Sequence, residues 1–90
     1  MSAPRRIEVP VAVLYTRAGC HLCDEARERL EAIGREVGGL EVREVDIEAD
    51  ERLHGEYLER IPVVEIDGEI VSELVLDEQA VRTELARRTR

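Results

Sequence analysis

Two thiols dominate a chemical reading of this chain. Its only cysteines, Cys20 and Cys23, stand three residues apart in "YTRAGCHLCDEA" (15–26), with His21 and Leu22 between them and Arg17 just upstream. Thiols so spaced suit three kinds of chemistry: a structural crosslink, half of a metal site, or reversible thiol–disulfide exchange. As a crosslink the pair is weak, because closing so short a loop restricts the unfolded chain little. On a helix, residues three apart have Cβ atoms roughly 5–6 Å apart, so a small adjustment brings the sulfurs into bonding range. Such a bond is useful mainly because it can open and close.

The setting of the pair favours exchange. "VAVLYT" (11–16) is a short continuous apolar run, the pattern of a strand covered on both faces. From Cys20 the period turns helical: Leu22, Ala26, Leu30, Ile33 and Val37 form one stripe, which Gly38-Gly39 ends. Cys20 is therefore predicted at a strand-to-helix junction. There, free N–H groups and the positive end of the helix dipole stabilise a thiolate and lower its pKa from about 8.5. Cys23, one turn further in, is the less exposed thiol and the candidate resolving group. Arg17 and a protonated His21 favour the thiolate, while Asp24 and Glu25 oppose it. Arg17 also has a plain reading as a surface charge, and His21 as an exposed spacer.

The remaining elements must hold that junction in place. "LEVREVDI" (40–47) alternates with one slip of phase, which suits an edge strand or a bulge. "DERLHGEYLER" (50–60) reads as a short helix with Leu53, Tyr57 and Leu58 inward, weakened by Gly55. "PVVEI" and "EIVSELVL" flank Asp67-Gly68, a two-residue hairpin signal. A last helix starts at Asp77 as N-cap, with Ala80, Val81 and Leu85 on its apolar side. The order is β-α-β-α-β-β-α. The first strand–helix–strand unit needs a parallel pair and the hairpin an antiparallel one, so the fold class is α/β with a small mixed sheet. Residues 1–90 make one domain.

Composition narrows the partners. The net charge is −8, divided as −1 over residues 1–45 and −7 over 46–90, which disfavours nucleic acid and anionic membrane. All 13 basic residues are Arg, so Lys-based catalysis is excluded. Tyr15 and Tyr57 are the only aromatics, too few to stack bases. Glu8 and Pro10 interrupt what would be the apolar core of a signal peptide, and no run approaches the roughly 20 apolar residues of a membrane span. A cytoplasmic address is expected, and in that reducing compartment a close cysteine pair points to catalysis or metal binding.

"LYTRAGCHLCDEA", "VREVDIEAD", "RIPVVEIDG" and "LDEQAVRTEL" together resemble the small bacterial glutaredoxin-like proteins of the thioredoxin superfamily, from about Val11 to Leu85. The resemblance implies a thioredoxin-like fold, a four-stranded mixed sheet flanked by three helices. It implies a thiol–disulfide oxidoreductase that needs no cofactor beyond a reversible Cys20–Cys23 disulfide, with Cys20 attacking and Cys23 resolving. It also implies a cis bond before Pro62, opposite the cysteines, and a free backbone donor and acceptor on Ile61 for an extended substrate segment. Arg17, His21, Leu22, Arg60, Ile61 and Pro62 are the expected substrate-binding residues, on a monomer acting on a disulfide-containing protein or a small thiol.

The chain departs from the family pattern at two places. Ala18 stands where a proline often precedes the glycine. The Gly-Gly that receives a glutathione carboxylate is replaced by "IVSELVLDE", where Glu69, Glu73, Asp77 and Glu78 add negative charge, so tight glutathione binding is not expected. Arg17 and Arg60 are the nearby cations that could offset it. Two alternatives stay open. One is a zinc or iron–sulfur module, with His21 and His54 as further ligands or a dimer sharing two cysteine pairs. The other is a non-catalytic interaction domain on the same fold.

Overall fold

The computed structural model describes residues 9–88. Residues 1–8, on which the reading of no secretory signal partly rests, lie outside the described residues. The apolar run Val11–Thr16 forms β1. β2 (Glu41–Asp46) lies parallel to it on one side, and β3 (Val63–Ile66) antiparallel on the other. β4 (Glu69–Glu73) pairs antiparallel with β3, giving a four-stranded mixed sheet of order β2-β1-β3-β4. Three helices flank it: α1 (His21–Val37), α2 (Glu51–Tyr57) and α3 (Glu78–Arg88). This is the expected four-strand, three-helix order, with one added 3-10 turn at Ile47–Ala49.

Alternate residues of β1 and β3 serve two cores, as the pleat of a strand requires. Ala12 and Leu14 pack with Ala26, Leu30 and Ile33 of α1, Val64 and Ile66 of β3, and Val81 and Leu85 of α3. Tyr15 and Val63 turn to the other face and join Ile47, Leu53 and Tyr57. Helices α1 and α3 thus cover one face and α2 the other. A fully buried aliphatic side chain contributes about 1.5–3 kcal/mol, so the larger cluster carries most of the stabilisation.

Three local expectations are refined by the packing. For the slip of phase in 40–47 the edge-strand reading holds and the bulge does not, since the β1–β2 register runs unbroken from Val11 opposite Glu41 to Thr16 opposite Asp46. Instead, Leu40 and Val42 pack on the α1/α3 side, while Val45 is level with Tyr15 and Ile47 enters the smaller core. β2 is an edge strand, and the irregularity of the sheet falls between Val64 and Glu65. Second, the buried stripe of α1 opens with Cys23, not Leu22, which is 46% exposed; Val37, at 40%, is also on the surface. A cysteine behaves as a small hydrophobe, which a search for chemistry alone overlooks.

Third, β4 stops at Glu73. The Leu74 N–H donates to the Arg60 carbonyl at 2.9 Å, and its φ of 65° turns the chain off the sheet before Leu74–Leu76 can extend the strand. The hairpin keeps its expected turn, with φ of 52° at Asp67 and 81° at Gly68, the pair of positive values a type I′ turn needs. Caps are also as expected for their residue types. Asp50 Oδ1 accepts the Arg52 and Leu53 N–H groups at 2.8 and 3.3 Å, and Asp77 Oδ1 accepts that of Ala80 at 3.0 Å.

In the smaller core, Glu65 on the interior strand β3 needs a partner. The Tyr15 hydroxyl donates to its Oε1 at 2.6 Å, and the Tyr15 ring lies 4.6 Å from that of Tyr57. This hydrogen bond, followed by burial, pushes the Tyr15 phenol up to about 12.

Two measurements check this packing. Leu30, fully buried between α1 and the sheet, should cost about 2–5 kcal/mol when replaced by Ala, read from denaturant unfolding. Spectrophotometric titration should show Tyr15 ionising near 12, and Glu65→Ala should bring it back toward the ordinary value of about 10. Because the folded value is the higher one, the associated stability is complete below about pH 10 and is lost as pH rises toward 12.

Candidate active site

The chain leaves β1 through Arg17, Ala18 and Gly19 and enters α1 at Cys20. Gly19 has φ 80°, the left-handed conformation that the turn demands and that a Cβ disfavours. Cys20 keeps an extended backbone (φ −94°, ψ 105°) as the N-cap, and its carbonyl accepts the first helical bond, from Asp24 N–H at 3.1 Å. Serine, threonine, asparagine and aspartate normally cap helices with a side-chain oxygen. Here the Cys20 Sγ takes that place and accepts the Cys23 N–H at 3.1 Å. The two cysteines form a disulfide with Cα atoms 5.2 Å apart. Cys20 is half-buried, whereas Cys23 is 1% exposed and sits against the core.

Pro62 precedes β3 at the same end of the sheet. Tyr15 pairs with Val63, so Pro62 lies beside the end of β1 from which the cysteine loop departs. The Ile61–Pro62 bond is cis and Pro62 is fully buried. The expected free donor on Ile61 is not there. Chain after α2 makes a further turn in which both Arg60 N–H and Ile61 N–H donate to the Tyr57 carbonyl, at 2.8 and 3.1 Å. An incoming strand therefore meets an Ile61 whose N–H is already engaged.

Both cations near the site are also engaged. Arg17 pairs with Glu48 at 2.8 Å. Arg60 stacks over the Tyr57 ring at 5.0 Å and donates to Glu73 at 2.5 Å, holding that carboxyl below the usual carboxylate range. His21 is exposed. Leu22 faces an open cleft of about 280 Å³ between α1 and the segment leading to α3, together with Val75 and Leu76. Those two residues escaped sequence reading because "LVL" was counted as strand; their apolar run was the available signal. Among the described residues no group of three or more His, Cys, Asp or Glu is arranged to hold a metal, and no helix is long and apolar enough to cross a membrane.

Known proteins match this architecture. The family model of a glutaredoxin-like domain (DUF836) covers residues 11–86. An uncharacterized protein of Mycobacterium tuberculosis is 36% identical over 84 residues, spanning 89% of this chain and 87% of its own. The solution structure of protein Ne2328 from Nitrosomonas europaea superposes with a TM-score of 0.73 at 27% identity, over 91% of this chain and 98% of that one. A thioredoxin mutant from Halobacterium salinarum shares the fold, with a TM-score of 0.59 at 24% identity over 90% and 75% of the two chains. With the C-x-x-C pair on this fold and the match running through nearly all of it, the chain belongs to the glutaredoxin-like domain family.

Proposed function

We propose that this protein is a thiol–disulfide oxidoreductase in which Cys20 is the nucleophile and Cys23 the resolving thiol. The observation that supports it is the asymmetry of the pair: one sulfur half-exposed at a helix N-cap, the other buried one turn behind it and within bonding reach. When the disulfide is reduced, the N–H groups of the first turn and the helix dipole favour negative charge on Cys20, the sulfur that a substrate can reach.

In the reduced protein the Cys20 thiolate attacks one sulfur of a substrate disulfide. The Cys20–substrate bond forms, the substrate's own S–S bond breaks, and the departing thiolate takes a proton from water. Cys23 then loses its proton and attacks the Cys20 sulfur. The intramolecular disulfide forms, the mixed disulfide breaks, and the second substrate thiolate leaves and is protonated. Two electrons have passed to the substrate, and two equivalents of an external thiol, leaving as their disulfide, return the Cys20–Cys23 bond to the dithiol. Substrates are protein or low-molecular-weight disulfides, and the reducing cytoplasm is the compartment that suits such turnover.

Titration across a series of defined thiol–disulfide buffers, from dithiothreitol at low potential to glutathione at higher potential, should give one reversible two-electron transition of both thiols, with the oxidised-to-reduced ratio changing tenfold for every step of about 30 mV. Cys20→Ser should reduce turnover to the uncatalysed background. Cys23→Ser should instead accumulate a covalent adduct with the substrate, visible as a mass increase that a reductant reverses. Cysteines that stay reduced in every buffer, or titrate only after a chelator removes metal, would overturn the proposal in favour of a metal module.

A further inference from the structure

Beside the dithiol, the surface combines an apolar cleft with uncompensated acid, and we propose that this cleft selects the substrate. Its occupant is the segment next to the disulfide of a protein substrate, bearing an apolar side chain flanked by Arg or Lys. The inference rests on the exchange reading above and adds the class of substrate.

The apolar part comes from two separate elements. Leu22 stands between the two cysteines in sequence and is 46% exposed at the first turn of α1. Val75, 71% exposed, and Leu76 face it from the segment that leads to α3. Single exposed hydrophobic residues are ordinary. These three line one cleft of about 280 Å³, a space for one or two side chains, and Leu22 ties it to the turn of α1 between the two cysteines. The turn at Leu74 holds the segment in place through its N–H to Arg60, and the Ser72 hydroxyl, which accepts Asp77 N–H at 2.9 Å, fixes its other end.

The charge on the rim is net negative, with Glu25, Glu28 and Glu78 against Arg29. Arg29 is the cation of the cleft, and its Nε and Nη2 donate to the two oxygens of Glu78, at 2.8 and 3.0 Å. Arg82 is likewise held by Glu36, with both bonds at 3.0 Å. Glu25 and Glu28, also on the rim, have no ion-pair partner among the described residues. With Arg17 held by Glu48 and Arg60 by Glu73, the approach to Cys20 carries a surplus of carboxylate. An anionic tripeptide thiol meets like charge here. A basic residue gains from it, and its methylene stem lies well on apolar surface. Repulsion of the wrong partner contributes to selection as much as attraction of the right one.

The test uses the full reduced chain, regenerated by dithiothreitol, on three oxidants. Two are disulfide peptides that differ only in the residues flanking one leucine, Arg in one and Glu in the other; the third is the neutral hydroxyethyl disulfide. At low ionic strength kcat/KM should favour the Arg peptide by about tenfold, in line with two exposed carboxylates changing from attraction to repulsion. The preference should shrink to within about twofold near 1 M salt, where the screening length is about 3 Å. The double variant Glu25→Gln, Glu28→Gln should reduce the preference in the same way.

Equal rates for the two peptides, with the neutral disulfide reduced normally, would overturn the cleft and leave the exchange activity standing. Failure on all three oxidants would overturn both. A binding measurement checks the surface without chemistry: the Arg peptide with serines in place of its cysteines should shift the amide resonances of Leu22, Glu25, Glu28 and Val75 in the oxidised chain. Resonances that do not move would overturn the proposal.

Discussion

Backbone hydrogen bonds on both edges of β1 and side chains packed on both of its faces hold that strand from every side. The dithiol inherits its position from this constraint. Thr16 is the last residue tied into the β1–β2 ladder, Gly19 turns the backbone, and Cys20 must then both end the loop and cap α1. Cys23 follows on the face of α1 that packs on the sheet, so the inner sulfur is buried by the same contacts that seat Ala26 and Leu30. Moving β1 by one residue would exchange the faces of Leu14 and Tyr15 and disturb both cores. The site is thus an extension of the packing, with no separate loop architecture to maintain it.

Charge is arranged on a different basis. Surface ion pairs of the kind seen here each contribute about 0–1 kcal/mol, so they say little about stability. They do decide which charges are left over. Arg17 and Arg60 near the dithiol, Arg29 on the cleft and Arg82 on α3 are each answered by a glutamate: Glu48, Glu73, Glu78 and Glu36. A chain with 13 basic and 21 acidic residues runs out of cations first, and the remainder on the cleft is Glu25 and Glu28. Arg60 illustrates the change of role. In sequence it is a cation beside the cis-proline; in the fold it stacks on Tyr57 and locks to Glu73, joining α2 to β4.

Much of the fold was legible in the chain. The switch of period at Cys20, the Asp67-Gly68 hairpin and the acidic cap at Asp77 each act over a few residues, and each appears where its local chemistry puts it. Misreadings occurred where distant segments compete for one residue. The phase slip of 40–47 left an edge strand and a bulge both open; it reflects two cores on opposite faces of an edge strand, and nothing in those eight residues chooses between them. The end of β4 at Glu73 depends on the Arg60 carbonyl, 14 positions earlier in the chain, accepting the Leu74 N–H. The Ile61 donor was spent on an extra turn after α2, an outcome that the backbone path of residues 57–61 decides.

The sequence by itself determined the element order, the pairing directions and the strand-to-helix placement of two thiols three apart. These follow from periodicity, turn chemistry and capping, which act between near neighbours. Only the tertiary structure decided which of the surrounding side chains are available. Leu22 moved from core to surface, Arg17 and Arg60 were neutralised, and Val75 and Leu76 came to face Leu22 across a cleft. Availability is set by packing and by ion pairs between residues far apart in the chain, and no local pattern encodes which acid will meet which arginine.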